Sequence, residues 1–155
     1  MTLGGVRPPA VAVRAATGAE LSHVLGLLES AGLPVAGVPP SLTDFLVAED
    51  HGGLVGAIGL EVYGPAALLR SAVVDSAVRG TGVGGMLVDR ALWHAQARGV
   101  RVVYLLTTTA DRYFPRFGFE RIPREEVPDG VRTSVEFREA CPASAVVMRK
   151  VLASS

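Results

Sequence analysis

Apolar and polar positions follow two different rhythms along the chain, and the change from one to the other places the elements. Residues 11–15 form a short apolar run that reads as a strand. Thr17-Gly18-Ala19-Glu20 then has the Thr-x-x-Glu spacing of a capping box, and Leu21, Val24, Leu25 and Leu28 recur at helical spacing until Gly32 and Pro34 stop them. Residues 33–40 read as loop. Two apolar runs, 45–49 and 54–62, flank Asp50-His51-Gly52-Gly53, the turn chemistry that joins antiparallel strands. Gly64-Pro65 makes the next turn and 68–74 is a third strand, so the front half predicts a strand and a helix followed by an antiparallel meander.

From Gly82 the period becomes helical. Val83, Leu87, Leu92 and Ala95 share roughly one face, Gly99 closes the segment, and 102–106 is a compact β run that returns parallel to its neighbour, a βαβ unit. Residues 110–117 predict a short amphipathic helix ended by Gly118, 119–122 a strand, 123–128 a polar loop, 131–140 a further helix, and 145–152 a last strand that could pair with the preceding one. No repeat or linker divides the chain, so the expectation is a flexible lead over 1–9 and one α/β domain over 10–155.

Composition narrows the classes. In 155 residues, 15 Lys+Arg balance 15 Asp+Glu, which argues against a polyelectrolyte partner and so against bulk nucleic-acid binding. At 49% hydrophobic and 19% charged, the chain is apolar enough for a sizeable core. Cys141 is the lone cysteine, which excludes an internal disulfide and a Cys-rich zinc site, and His23, His51 and His94 are too far apart for a local metal motif, so no metal is expected. Cys141 before Pro142 reads as a small apolar residue. A reducing, cytoplasmic setting fits best. The sole lysine, Lys150, has no glycine loop before it, which removes a Walker-type phosphate loop. The start lacks a secretory h-region and nowhere do about 18 apolar residues run together, so no membrane association is expected.

The most informative segment is Arg79-Gly80-Thr81-Gly82-Val83-Gly84, after a strand and at the mouth of a helix. Glycines there let the backbone approach a ligand, unpaired N–H groups point outward, and the helix dipole with Arg79 favours an anion such as a diphosphate. A Rossmann fingerprint competes, but the G-x-G-x-x-G spacing is missing and the turn follows a meander.

Leu68 to Asp75, then Arg79 to Gly84, then the helix and the segment ending Phe117-Gly118-Phe119, resemble the GCN5-related N-acetyltransferases over nearly the whole chain. The resemblance implies one α/β domain of that fold: a mixed, mostly antiparallel twisted sheet, splayed near Val73, with helices on both faces. It implies that the signature matched by Arg79, Gly82 and Gly84, with Gly80, Thr81 and Val83 between them, holds the pyrophosphate of acetyl-CoA. In the same family the strand aligned with Val73 and Val74 hydrogen-bonds the pantetheine arm, and a backbone N–H there, at Val73 or Val74, meets the acetyl oxygen. The stretch Leu105 to Phe119 resembles the acetyltransferase domain of N-acetylglutamate synthases. Together with 137–148 it resembles the arsenic-resistance N-acetyltransferases. Both likenesses imply a small amino acid as acceptor, the second a glutamate-like analogue such as arsinothricin or, with phosphorus, phosphinothricin. The family also points to a homodimer. Two alternatives remain open: acetylation of protein N-termini, and acetyl-CoA binding without catalysis.

Acetyl transfer from a thioester to an amine needs a neutral amine, an oxyanion donor and a proton for the leaving thiolate. The family's general acid is a tyrosine in Phe-Tyr-x-x-x-Gly-Phe, where this chain has Phe114. Tyr113 stands one residue early, and such a shift along a helix turns a side chain by about 100°, so Tyr113 is a candidate acid beside water. Glu61 interrupts an apolar strand and is the candidate base or ammonium holder. Glu49 and Asp75 read as strand-end markers. Arg70 suits bidentate capture of an acceptor carboxylate, while Ser71, by strand alternation, faces the opposite side. Thr107, at the end of the parallel strand, is a candidate substrate contact or a helix cap.

Overall fold

The structure, a computed structural model, describes residues 11–51, 53–134, 137 and 144–152. The lead over 1–9 and Cys141 lie outside these residues. Seven strands make one mixed sheet: β1 (Ala12–Ala15), β2 (Phe45–Asp50), β3 (Gly53–Tyr63), β4 (Ala66–Val74), β5 (Val102–Thr107), β6 (Glu120–Arg121) and β7 (Val146–Val151), in spatial order β1-β2-β3-β4-β5-β7-β6. Helices α1 (Leu21–Ser30) and α2 (Val83–Ala97) and the single turn α3 (Asp129–Arg132) complete it.

The pleat sorts the core into two layers. Side chains alternate across a strand, so Leu46 and Ala48 join Val83, Leu87, Val88, Ala91 and Ala95 of α2, whereas Phe45 and Val47 join Val24 and Leu28 of α1. Farther along the α1 face, Ala66 and Leu68 pack with Tyr104, Val127 and Val131. The Glu20 carboxylate accepts the Thr17 N–H at 2.9 Å, one half of the expected capping box, and a 3-10 turn over Gly18–Glu20 leads into α1. The meander is as expected, Asp50 pairing with Gly53 across a two-residue turn.

What positions the site is the parting of β4 from β5. They pair in parallel only at Ala66–Val102, Ala67–Val103 and Leu68–Tyr104, and diverge beyond, several residues ahead of the splay expected near Val73. On its other edge β4 stays with β3 but carries a bulge: Arg70 faces Gly59 and Val73 faces Ala57, so three steps on β4 match two on β3. Ser71, inside the bulge, has φ 59°, the left-handed region that a non-glycine residue rarely enters.

Three expectations change. Residues 110–117 do not form a helix; an α-turn at Ala110 is followed by a 3-10 turn over Phe114–Phe117, because Pro115 has no N–H to return to residue 111. The strand expected over 119–122 shortens to β6 at the sheet edge. β7 lies between β5 and β6, pairing antiparallel with both, so the last strand does more than join the one before it. Of the helix expected over 131–140, the described part is the end of α3, a turn over 133–134 and Phe137 in a π-helical conformation; residues 135, 136 and 138–140 lie outside the described set.

Candidate active site

A cavity of about 670 Å3 fills the gap between β4 and β5, a size typical of small-molecule sites. Its walls are Leu69 to Val74 of β4, Leu105 to Ala110 on and after β5, the start of α2 with Arg79, the aromatic pair Tyr113 and Phe114, and Gly32, Leu33 and Pro34 after α1. Of the residues expected from sequence, it gathers Arg70, Ser71, Val73, Val74, Arg79, Gly84, Thr107 and Tyr113, whereas Glu61, Gly80, Thr81, Gly82 and Val83 are not among its lining.

The glycine turn has the geometry of an anion seat. Gly80 (φ 83°) and Gly82 (φ 90°) take left-handed conformations that admit glycine without strain, and Gly82 caps α2. The first helical bond is donated by Met86 to Gly82 C=O at 3.1 Å, so the N–H groups of Val83, Gly84 and Gly85 have no backbone acceptor. Thr81 turns both donors inward: its hydroxyl and its N–H reach Val78 C=O at 2.5 and 3.3 Å. Asp75 accepts the Ala77 N–H at 2.9 Å, a strand-end cap as expected.

One edge of β4 is open to the cavity. Asp75 N–H donates to Val55 C=O at 2.8 Å, so strand alternation turns the Val74 peptide away from β3. Its carbonyl accepts from Arg79 Nε at 3.4 Å, which fixes that direction.

At the far end, Arg70 is 3% exposed. Its Nε donates to Ser71 Oγ at 3.0 Å, one terminal nitrogen to Glu61 Oε2 at 2.7 Å, and the other to Ala36 C=O at 2.8 Å. The Tyr63 hydroxyl donates to the other Glu61 oxygen, and burial together with that carboxylate raises the phenol's pKa well above its ordinary value. Arg70 and Ser71 therefore share one hydrogen bond, where alternation put them on opposite faces: the bulge and the left-handed Ser71 break the two-residue period. Tyr63 was missed, although its spacing from Glu61 puts both on one strand face; the Ala36 carbonyl has no sequence signal.

Thr107 Oγ1 accepts the Ala110 N–H at 2.8 Å, making it a turn cap at the cavity wall. The Tyr113 ring packs edge-on to Phe114 and Phe117, and its hydroxyl, which has no hydrogen-bond partner among the described residues, lies over the start of α2. A Cβ built on Gly84 would come within 3.1 Å of it. His94 bonds Asp44 at 2.8 Å, away from the cavity. Among the described residues there is no group of three His, Cys, Asp or Glu able to hold a metal, and no helix long and apolar enough to cross a membrane.

A model of the acetyltransferase (GNAT) domain matches residues 41–121, from ahead of β2 through β6. The chain belongs to this family. It is 31% identical over 110 residues to the uncharacterized N-acetyltransferase CT2212 of Chlorobaculum tepidum, covering 68% of this chain and 70% of that one. Rv2747 of Mycobacterium tuberculosis, solved in complex with CoA and NLQ, superposes with a TM-score of 0.77 at 25% identity over 92% of this chain and 99% of its own. N-acetylglutamate synthase of Neisseria gonorrhoeae, solved with coenzyme A and N-acetyl-glutamate, superposes at 0.79 with 19% identity, over 96% of this chain but 36% of its own. The GNAT chain described here is an acetyl-CoA-dependent N-acetyltransferase.

Proposed function

We propose that the chain acetylates the α-amine of a small, glutamate-like amino acid, in the resistance setting an arsenic- or phosphorus-containing analogue. The observation that carries this reading is the charge of the cavity: its described lining has two ionised side chains, Arg70 and Arg79, and no carboxylate. Arg70 is compensated by Glu61, so what bears on the acceptor is the lack of a carboxylate in the described lining, which disfavours a cationic peptide N-terminus relative to an acidic amino acid. The N-acetylglutamate synthase neighbour, which holds N-acetyl-glutamate with CoA, supports the same class.

In this reading the donor's diphosphate lies on the N–H groups of Val83 and Gly84 beside Arg79, with Gly80, Thr81 and Gly82 shaping the turn, and its pantetheine arm runs along Val73 and Val74. The Val74 N–H donates to the acetyl oxygen as charge develops there. The amine reaches the carbonyl neutral, having lost its proton to water, and Tyr113 returns a proton to the departing sulfur. Both Glu61 oxygens are taken by Tyr63 and Arg70, so Glu61 serves this site by holding Arg70 rather than as a base. Thr107 shapes the acceptor wall. The assembly follows the family as a homodimer.

An acceptor screen that follows release of free CoA tests the proposal, with glutamate, phosphinothricin, arsinothricin and a peptide N-terminus compared at equal concentration. Small acidic amino acids are expected to turn over at least tenfold faster than the peptide. A faster peptide overturns the acceptor class, and acetyl-CoA binding with no CoA release for any amine reduces the chain to a binding module.

A further inference from the structure

A guanidinium in the wall of an acceptor cavity invites the reading that it grips the acceptor. Its bonds here point elsewhere. The three nitrogens of Arg70 reach three separate segments: the loop after α1 through Ala36, the last residues of β3 through Glu61, and the β4 bulge through Ser71. The side chain has no solvent-exposed surface, and its ion pair with Glu61 is 2.7 Å long. A guanidinium so placed is held rigidly, and what it holds rigidly in turn is the one residue of β4 whose backbone is strained.

We propose that Arg70 is a positioning residue, which pins Ser71 in its left-handed conformation and so maintains the bulge that presents the β4 edge to the acetyl donor. This rests on the acetyl-transfer reading above. The φ of 59° at Ser71 is disfavoured for an L residue and easy only for glycine, and the Arg70 Nε–H to Ser71 Oγ bond at 3.0 Å is buried, where such a bond is strongest. Glu61 and Tyr63 belong to the same device, since they orient the guanidinium.

The contrast between Ser71→Ala and Ser71→Gly isolates this role. Both remove the hydroxyl, but only glycine takes the left-handed backbone without strain. Ser71→Gly is expected to keep at least fivefold more kcat than Ser71→Ala, with the acceptor KM differing less than threefold between them. Equal losses in both variants would make the hydroxyl a substrate contact, and no loss in either would make the anchor dispensable; each result overturns the proposal. Arg70→Lys keeps the charge and the Glu61 pairing but has no Nε–H for Ser71. It is expected to lower kcat about tenfold, and Arg70→Lys/Ser71→Gly to recover at least threefold of that. An acceptor KM raised tenfold or more in Arg70→Lys, with kcat retained and no recovery from the glycine, would show direct capture and defeat the inference. The acetyl-CoA affinity of the same variants, measured by calorimetry, keeps the two readings apart. A wild-type chain that binds acetyl-CoA yet acetylates no amine refutes the transfer reading, while affinity lost in Ser71→Ala and kept in Ser71→Gly still bears out the bulge anchor.

Discussion

Gly84→Ala places a methyl group 3.1 Å from the Tyr113 hydroxyl and 3.6 Å from Val74 Cγ2. The second distance is ordinary van der Waals contact; the first requires the phenol to retreat by a few tenths of an ångström. Two opposed effects set the outcome. Alanine in a first helical turn is favoured over glycine by about 0.5–1 kcal/mol, whereas overpacking of this kind costs about 1–3 kcal/mol. The ring behind the hydroxyl is backed by Phe114 and Phe117 with centroids 5.3 Å away, so retreat is resisted and the single substitution is expected to destabilise by about 1 kcal/mol. Tyr113→Phe removes the oxygen without breaking a hydrogen bond among the described residues, so by itself it changes stability little. With phenylalanine at 113 the alanine keeps its helical advantage, and Gly84→Ala turns stabilising by about 0.5 kcal/mol. The double-mutant cycle in urea unfolding, at constant m, should therefore give a coupling of about 1–2 kcal/mol. Additive effects would mean that the hydroxyl does not sit over Gly84. Activity supplies the second readout. If Tyr113 returns the proton, Tyr113→Phe lowers kcat about a hundredfold, and Gly84→Ala, which moves the hydroxyl, lowers kcat more than it raises the acetyl-CoA KM.

Arg79→Ala removes a cation that lines the cavity together with the start of α2. A charge-assisted hydrogen bond of about 1.5–3 kcal/mol corresponds to a ten- to hundredfold rise in the acetyl-CoA KM; an equal rise in the acceptor KM would move Arg79 out of the diphosphate site. Gly59→Ala drives a methyl to within 2.4 Å of the Phe45 ring, a fully buried side chain, and should destabilise by about 3 kcal/mol in urea, less than additively with Phe45→Leu. Glu20 has its carboxyl lowered from 4.5 to about 2, first by the hydrogen bond from Arg14, which outweighs the opposing effect of burial. Because the folded value is depressed, this contribution is present above pH about 4.5 and is lost as pH falls toward 2. Glu20→Gln should flatten stability against pH in that window, and an unchanged acid limb in urea titrations would refute the pairing.

The meander, both main helices and the βαβ return were legible because each rests on a local signal: the Thr17–Glu20 spacing, the turn at His51, the apolar period from Val83 to Ala95. The left-handed turn ahead of α2 was legible for the same reason, since Gly80 and Gly82 announce their backbone directly. What escaped depends on contacts that no local period encodes. Pro115 sits inside an apparently amphipathic run and cancels the helix its neighbours suggest. Arg70 reads as a free fork until Glu61, nine residues away, and Ala36, thirty-four residues away, are seen to converge on it. Phe114 stands where the family has tyrosine, and a rotation argument that assumes a helix demotes Tyr113. In the turn and 3-10 turn that replace the helix, one residue still rotates a side chain by about 100–120°, yet both Tyr113 and Phe114 line the cavity.

In the proposed mechanism, the choice between Val73 and Val74 as the acetyl-oxygen donor follows from the same bulge. In β4, the peptides of Val73 and Asp75 face β3, and Arg70, opposite Gly59, is in phase with Val73 because three residues occupy a space of two. Without the inserted residue the pleat would run on from Arg70, residues 72 and 74 would face β3, and the open edge would offer Val73 instead. The insertion thus exchanges one valine for the other. It also leaves the Val73 side chain, 5% exposed, packed in the α1 layer while the Val74 peptide is turned to the cavity. A strain held at Ser71 is in this way transmitted three residues along the strand as a change in which N–H is free, with no movement of the sheet. Side-chain substitution at Val74 would leave that donor in place, whereas relaxing Ser71 would remove it.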